Sequence, residues 1–208
     1  MPDNKIISIL IVGVGGQGIL LASEVLSSVC MAAGNDVKQS EIHGMAQRGG
    51  SVSCHIRFGK KVYSPMIESG TADYLVSFEM LEALRWQNYL SENGVAIVNK
   101  QKIDPITVAS GVEKYPENIE EILYQRFKNP LLVHAVSIAK QTGSIKAVNI
   151  TLLGTLSKYL GFSTQLWEKA IHKRIPENLL SINLAAFHKG FCAAEECVKN
   201  LTKDTTGE

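Results

Sequence analysis

IISILIVGVGGQGIL, residues Ile6–Leu20, is the stretch that decides the fold. Its first part, Ile6–Val12, is apolar apart from Ser8 and rich in β-branched residues, which is typical of a strand buried on both faces. The glycine-rich GVGGQG follows directly, and apolar residues then recur at helical spacing as far as Val29. A short strand is predicted next, at Asp36–Ser40. Strand, glycine turn, helix and strand together predict a βαβ opening of an α/β domain.

The rest of the chain predicts a mixed sheet followed by a helical C-terminal third. Ser51–Phe58 alternates, which predicts an antiparallel hairpin with Val62-Tyr63 and one face in water. The other predicted strands are Tyr74–Phe78, Val95–Val98 and Ile106–Ala109. The predicted helices are Met80–Tyr89, Ile119–Phe127, Leu131–Thr142, Asn149–Leu160, Thr164–Lys173 and Glu177–Lys199. We expect one domain over residues 5–200 and a disordered tail at 201–208.

Composition excludes several classes of function. The 208 residues carry a formal net charge of +1, so a nucleic-acid partner is not expected. The apolar runs fall far short of the roughly 18 residues that a spanning helix needs, and the polar N-terminus does not resemble a signal peptide. We therefore expect a cytoplasmic protein without a membrane partner. Cys30, Cys54, Cys192 and Cys197 form no CxxC pair, which predicts reduced thiols and no metal or cluster site.

GVGGQG matches GxGxxG in the context that the motif requires, after a strand and before a helix. Glycines allow a tight turn and a close approach of backbone to a ligand, and the N–H groups at the helix start attract anions. The candidate ligand- or partner-binding residues here are Gly13, Gly15, Gly16, Gln17 and Gly18. Three interpretations stay open for this turn: it binds an anion or nucleotide, it only packs helix against sheet, or it meets a partner chain.

The second unusual stretch is SEIHGMAQRGGSV, Ser40–Val52. Arg48 offers a rigid fork of five donors for phosphate or carboxylate, and three glycines let the backbone approach another molecule. Met45 is apolar in a loop, which favours contact with a partner over a solvated turn. The candidate binding residues in this stretch are Glu41, His43, Gly44, Met45, Gln47, Arg48, Gly49 and Gly50. No catalytic residue is assigned, because no second His or acid accompanies His43 at a suitable spacing.

Three other acidic or amide residues carry weaker signals. In a dinucleotide enzyme an acid about 20 residues after the glycines binds the ribose, and Glu41 is the candidate, although SEIHG is an unusual ending for that strand. Glu79 and Asn99 each follow a predicted strand, where ligand sites of α/β folds gather. Either residue could equally be a helix cap or a turn residue.

GVGGQGIL (Gly13–Leu20) and SEIHGMAQRGGSVSCHIR (Ser40–Arg57) together resemble the gamma-type subunits of the 2-oxoacid:ferredoxin oxidoreductase family. The later stretches FEMLEALRW, AVNITLLGTLSKYLG and IPENLLSINLAAFHKGF extend the similarity over about residues 5–195. The MAQRGG run in particular is similar to the indolepyruvate branch of that family, in which the corresponding chain is the small subunit of indolepyruvate ferredoxin oxidoreductase.

The resemblance implies a three-layer α/β/α, Rossmann-like domain. It implies a complex that decarboxylates a 2-oxo acid such as indolepyruvate, forms an acyl-CoA and passes electrons to ferredoxin. Thiamine diphosphate and [4Fe–4S] clusters would belong to a large partner subunit, and this chain alone would bind no cofactor. The loop after Ser40 would then face the active region, with Arg48 and the glycines on an anionic group of coenzyme A (CoA), cofactor or substrate.

Two other classes of function stay open at the sequence level. A free-standing NAD(P)- or flavin-dependent oxidoreductase would use GVGGQG for the nucleotide. A purely structural partner would stabilise a large subunit without touching any ligand.

Overall fold

The computed structural model describes residues 5–44, 49–112 and 114–206, which form an α/β fold around one six-stranded sheet. The strands are β1 (Ile7–Val14), β2 (Asp36–His43), β3 (Ser51–Gly59), β4 (Ala72–Ser77), β5 (Leu90–Asn99) and β6 (Leu131–Val133). The helices are α1 (Ile19–Ala32), α2 (Met80–Arg85), α3 (Ile106–Ala109), α4 (Ile119–Arg126), α5 (Ala135–Gln141), α6 (Val148–Leu160), α7 (Thr164–Arg174) and α8 (Glu177–Thr206). Short 3₁₀ turns lie at Gln87–Tyr89 and Ile145–Ala147.

The strand order is β2-β3-β1-β4-β5-β6. The strands β1, β4, β5 and β6 run parallel, whereas β3 is antiparallel to both of its neighbours, β1 and β2. Every residue of β1 is buried, including Ser8, as its predominantly apolar sequence predicts for a central strand covered on both faces.

The sheet lies between two layers of helices. Ile9 and Ile11 of β1 belong to one core, which α1 and α5–α8 cover. Leu10 and Val12 point to the opposite face and belong to a smaller core under α2 and α4. The expected three-layer α/β/α architecture with a mixed sheet is confirmed.

The prediction for β3 was wrong in its partner and in its exposure. β3 forms a hairpin with β2 instead of with Val62-Tyr63, and its other edge pairs with β1. Both of its faces are buried, because the segment that contains Val62 and Ile67 covers the face expected to be wet. The polar residues that alternate in Ser51–Phe58 include the partly buried Ser51 and the buried His55, which have hydrogen-bond partners within the chain, so the alternation does not mark a solvent face.

Four other predicted elements change in type or length. Leu131–Val133 is the edge strand β6, and the predicted helix Leu131–Thr142 begins only at Ala135. Ile106–Ala109 is helical instead of extended. The helix expected over Met80–Tyr89 ends at Arg85, and α8 continues past Lys199 to Thr206. Within the described residues, no helix has the length and apolarity needed to cross a bilayer.

Helices α6 and α8 cross at two glycines. A Cβ atom on Gly154 would lie 2.1 Å from the carbonyl oxygen of Phe187, and one on Gly190 would lie 2.0 Å from that of Thr151. Thr155 Oγ1 donates across the crossing to the Gly190 carbonyl at 3.0 Å. Neither glycine needs a positive φ, so the two residues are required here by the close approach of the helix backbones.

Gly190→Ala should therefore lower the free energy of unfolding by at least about 2 kcal/mol, because the two helices must separate to admit the methyl group. Urea denaturation monitored by circular dichroism measures the change. Ser181→Ala on the exposed face of the same helix is the control, with an expected change within about 0.5 kcal/mol. Equal stabilities for the two variants would contradict this account of the crossing.

His55 is a buried, neutral histidine on the α2 side of the sheet. Its Nδ1 accepts the backbone N–H of Ile67 at 3.2 Å, so the proton of the neutral ring sits on Nε2, which has no hydrogen-bond partner among the described residues. The ring contacts Trp86 and Tyr89 edge-on. Burial lowers the pKa of His55 below its usual value, because the charged form would lose its hydration.

The lowered pKa gives a pH dependence of stability with a definite sign. The unfolded state takes up a proton near pH 6.5 and the folded state only at lower pH, so stability is full above about pH 6.5 and falls on acidification. The fall due to one group cannot exceed about 1.4 kcal/mol per pH unit. His55→Gln should reduce the slope between pH 7 and 5 in urea denaturation below that of the wild-type protein. An unaltered slope in His55→Gln would argue against this assignment.

Candidate functional site

The candidate site lies at the edge of the sheet where the parallel strands end. β1, β4 and β5 present their carboxyl ends there, and the antiparallel hairpin places the end of β2 and the start of β3 at the same edge. Open α/β sheets bind ligands at this edge. The GVGGQG turn and the β2–β3 connection, residues 44–50, are therefore neighbours, although the sequence separates them.

The glycines of GVGGQG have different structural roles. Gly13 lies inside β1, where a Cβ atom would sit 2.8 Å from the Cβ of Phe78. Gly16 and Gly18 adopt positive φ angles of 100° and 79°, which only glycine adopts without strain. Gly15 donates its N–H to the carbonyl oxygen of Gly50 at 2.9 Å, which ties the turn to the β2–β3 connection.

Gln17 fastens the turn to the ends of the neighbouring strands. Its Oε1 accepts the N–H of Val14 at 2.7 Å, and its Nε2 donates to the carbonyl of Phe78 at 3.0 Å and to Oε1 of Gln101 at 3.3 Å. Asn99 Nδ2 donates to the same two oxygens, each at 3.0 Å. The carboxamide of Gln17 is thus engaged within the chain, so its direct contribution is to the shape of the turn.

A groove of about 400 Å³ opens beside the turn. Residues 16–18 form one side, and Lys146, Asn149 and Ile145 from the start of α6 and its preceding 3₁₀ turn form another. Gln101 also lines it. Because two donors hold the Gln101 carbonyl oxygen, its N–H groups are what that side chain can offer to a ligand.

The electrostatics of this groove suit an anion. Helix α1 begins at Ile19 with Gly18 as its N-cap, and the N–H groups of its first turn have no acceptors within the helix and carry partial positive charge. Lys146 adds a full positive charge on the facing wall. Sequence reasoning missed Lys146, Asn149 and Gln101. Of these three residues, only Gln101 could have been suspected from the sequence, because it lies two residues after Asn99 at the end of a strand.

Glu41 and His43 lie away from the glycine turn. His43 Nε2 is 2.9 Å from Glu41 Oε1, and the Glu41 side chain is only 17% exposed. The whole of β3 separates β2 from β1, which places Glu41 about two strand spacings, roughly 10 Å, to the side. Cys54 lies opposite Glu41 on the neighbouring strand β3. Burial raises the pKa of Cys54 to about 11, so its side chain is an un-ionised thiol. Because the acid does not flank the glycine turn, a dinucleotide site is not supported.

The β2–β3 connection is described only at its two ends. Gly44 donates its N–H to the carbonyl of Ser51 at 3.0 Å, Gly49 has a positive φ of 76°, and Gly50 accepts from Gly15 as described above. The candidate residues Met45, Gln47 and Arg48 lie outside the described residues. The structure brings Gly15 beside Gly50 and thereby joins the two candidate segments.

Glu79 is a helix cap and an anchor. It is fully buried, and its Oε2 accepts the N–H of Glu82 at 3.0 Å at the start of α2. Its Oε1 accepts from the Tyr115 hydroxyl at 2.5 Å and from the N–H of Ile103 at 3.2 Å. Burial raises the pKa of Glu79, against the lowering effect of the Tyr115 hydrogen bond. The cap interpretation is confirmed, and the glutamate holds the chain after β5 against α2.

The other large cleft is less suited to an anion. It has a volume of about 410 Å³ and lies between Lys102, Tyr115 and the start of α4, where Glu117, Glu120 and Glu121 line it. The negative charges of these glutamates offset the partial positive charge at the N-terminus of α4, which would otherwise attract an anion. In the part of the chain that the structure describes, no group of three His, Cys, Asp or Glu residues is arranged to hold a metal ion.

Comparison with known proteins identifies the family. Residues 8–193 match the family described as pyruvate ferredoxin/flavodoxin oxidoreductase. The chain belongs to this family. It is 39% identical over 194 residues to the indolepyruvate oxidoreductase subunit IorB of Pyrococcus horikoshii, which covers 91% of this chain and 96% of the relative. The resemblance inferred from the two glycine-rich segments is thereby confirmed.

Solved structures share the fold. The gamma subunit of a keto/oxoacid ferredoxin oxidoreductase from Geobacter sulfurreducens superposes with a TM-score of 0.69 at 24% identity, covering 91% of this chain and 99% of that one. The 2-oxoglutarate:ferredoxin oxidoreductase of Magnetococcus marinus, solved with 2-oxoglutarate, CoA and succinyl-CoA, superposes with a TM-score of 0.71 at 20% sequence identity. That match covers 92% of this chain but 31% of the other, so the fold occurs there within a longer polypeptide.

The role of Gln17 can be tested by stability. Gln17→Ala should lower the free energy of unfolding by about 1–3 kcal/mol, because the Val14 N–H loses its side-chain acceptor in a partly buried place and the Phe78 carbonyl keeps only the donor from Asn99. Gln141→Ala, which removes a contact with the exposed Lys189, is the matched control and should change stability by less than about 0.5 kcal/mol. Thermal or urea denaturation compares the two, and a Gln17→Ala protein as stable as the control would refute the assignment.

Proposed function

We propose that this chain is the small, non-catalytic subunit of a CoA-dependent 2-oxoacid ferredoxin oxidoreductase that acts on indolepyruvate or another aryl-pyruvate in the cytoplasm. The observation that carries the proposal is the 39% identity to an indolepyruvate oxidoreductase subunit over nearly the full length of both chains. A large subunit carries thiamine diphosphate and [4Fe–4S] clusters and passes electrons to ferredoxin. The isolated chain has no turnover of its own.

The chain's part in the reaction is to complete the active region with donors for an anionic ligand. The groove beside residues 16–18 offers Lys146, the amide of Gln101 and the first-turn N–H groups of α1. These groups match the phosphates of CoA, and charge-assisted bonds to phosphate are stronger than neutral ones. Arg48, on the neighbouring connection, adds a forked donor for a phosphate or for the carboxylate of the 2-oxo acid.

Assembly is the first test of this proposal. When the chain and its large subunit are coexpressed, we expect a stable complex that oxidises indolepyruvate with CoA and reduces ferredoxin, while the purified small chain does neither. Titration of the small chain with NAD(H), NADP(H), FMN and FAD should give no micromolar binding. Turnover of a 2-oxo acid by the small chain alone, or tight nucleotide binding, would contradict the proposal.

Kinetics of variants in the assembled complex test the site. Arg48→Ala and Lys146→Ala should each raise the KM for CoA or the 2-oxo acid by roughly tenfold and leave kcat close to that of the wild type, since each removes a contact with the bound anion. The substrate whose KM rises identifies the group that each residue contacts. Lys140→Ala on the exposed face of α5 is the control for loss of one positive charge.

A purely structural partner predicts a different result. In that case Arg48→Ala and Lys146→Ala would lower the yield of complex without changing the KM of the complex that forms. Gel filtration of each variant, run beside the kinetic measurements, separates the two functions.

A further inference from the structure

The strand β2 forms one edge of the sheet, and among the described residues no strand lies on its outer side. β2 is eight residues long and pairs with β3 without a bulge, whereas β6 at the opposite edge has only three residues. Long, regular edge strands invite pairing with another chain, and proteins usually protect them with proline, bulges or charges. β2 contains no proline. Its charged side chains are engaged on their own strand, because Lys38 lies 2.8 Å from Asp36 and Glu41 lies 2.9 Å from His43.

The pairing on the inner side of β2 shows which backbone groups point outwards. Gly44 donates its N–H to the carbonyl of Ser51, so the even-numbered residues of β2 direct their N–H and C=O groups towards β3. The residues that direct theirs outwards are Val37, Gln39, Glu41 and His43. Within the described residues, no hydrogen bond reaches these outward groups. β2 therefore presents a row of alternating donors and acceptors, which is one half of a strand ladder.

A second copy of the same strand fits this row. Two antiparallel copies of β2, related by a two-fold axis perpendicular to the sheet, keep the same faces together, so odd residues pair with odd and even with even. When the axis passes through Ser40, Gln39 of one copy pairs with Glu41 of the other. In the same register, Val37 pairs with His43. This register alone gives every outward residue a partner, and its pairs exchange about eight hydrogen bonds.

Side-chain chemistry favours the same register. The amide of Gln39 accepts from Ser27 Oγ and donates one N–H to Ser23 Oγ, both at distances below 3 Å. Its second N–H has no acceptor among the described residues and can donate to the Glu41 carboxylate of the other copy. An axis at Glu41 would set two like charges directly opposite each other, which is destabilising, and an axis at Gln39 would set the carboxylate opposite Val37.

Exposed apolar side chains flank this edge on the α2 side of the sheet. Ile42 is 43% exposed and Tyr63 is 87% exposed. Tyr63 lies near the start of β2, because the Lys61 ammonium is over its ring and 3.7 Å from the Asp36 carboxylate. In the register described above, Ile42 of the other copy lies opposite Lys38, which is the ion-pair partner of Asp36. Association would therefore bring apolar surface together beside the hydrogen-bonded strands.

We propose that this subunit self-associates through β2, so that the six-stranded sheets of two copies join across a two-fold axis at Ser40. The inference does not rest on the proposed function, because it uses neither the groove beside the glycine turn nor the reaction. It gives Glu41 and Gln39 a role in contact with a second copy of this chain. A strand supplied by the large subunit is the competing occupant, and the tests distinguish the two.

Cysteine cross-linking tests the position of the axis. Ser40 faces its own counterpart in a non-hydrogen-bonded pair, in which the Cα atoms are about 4.5 Å apart and within reach of a disulfide. Ser40→Cys, in a chain that also carries Cys192→Ser and Cys197→Ser, should give a disulfide-linked dimer on a non-reducing gel after mild oxidation. Lys38→Cys in the same background is the matched control. It should stay unlinked, because its two copies would lie about 14 Å apart.

Sedimentation velocity of the full-length chain tests association without a cross-link. The wild-type chain should be a dimer at micromolar concentration. Glu41→Pro removes an outward N–H and leaves the β2–β3 ladder intact, so it should raise the dissociation constant of the dimer at least tenfold. Glu41→Ala keeps that N–H and should raise the constant less. Circular dichroism checks that both variants are folded, and the cross-linking test stands independently if Glu41→Pro does not fold.

The outcomes separate the two occupants of the edge. Selective cross-linking at residue 40, together with a dimer that Glu41→Pro weakens, supports self-association. A monomeric wild-type chain, or Ser40→Cys that links no faster than Lys38→Cys, would overturn it. If the free chain is monomeric and Glu41→Pro instead blocks assembly with the large subunit, the edge receives a strand of that subunit and self-association is wrong. In either case the proposed function would stand.

Discussion

The carboxamide of Gln17 is the interaction on which the candidate site depends. It joins the last residue of β1 to the carbonyl that follows β4 and to the Gln101 side chain that follows β5. Three strand ends are thus connected by one side chain, and the turn between them has only glycine where the backbone takes positive φ angles. A ligand that enters the groove meets a surface whose shape is set before binding, which reduces the entropy lost on association.

Much of the fold was predictable, because its strongest signals are local. The apolar run of β1, the glycine turn and the stripe on α8 each reflect burial of one element against a core, and the structure places them as expected. Predictions failed where tertiary contacts override the pattern. Alternation in β3 suggested a wet face, but the chain around Ile67 covers it, and three residues at Leu131–Val133 are too few to distinguish a strand from the start of a helix.

The candidate site was predictable only in its glycine-rich half. Gly15, Gly16 and Gly18 stand out by spacing, and their neighbourhood with Gly50 follows from the antiparallel hairpin. Lys146 and Asn149 come from a helix start more than a hundred residues later, so no short-range pattern could reveal them. Glu41 shows how little sequence spacing says about the position of a residue in space. Its distance along the chain suits a ribose acid, but the insertion of β3 beside β1 moves it out of reach.

The position of β1 in the middle of the sheet affects how the chain folds during its synthesis. β1 is synthesised before most of its contacts, because its parallel neighbour β4 ends at Ser77 and the helices α6 and α8, which help to cover Ile9 and Ile11, lie much later in the sequence. Most of the native contacts of β1 are therefore distant in sequence, a topology associated with slow folding. The part of the apolar sheet face that α6 and α8 cover stays exposed until those helices have been synthesised, and transiently exposed apolar surface of this kind is prone to aggregation.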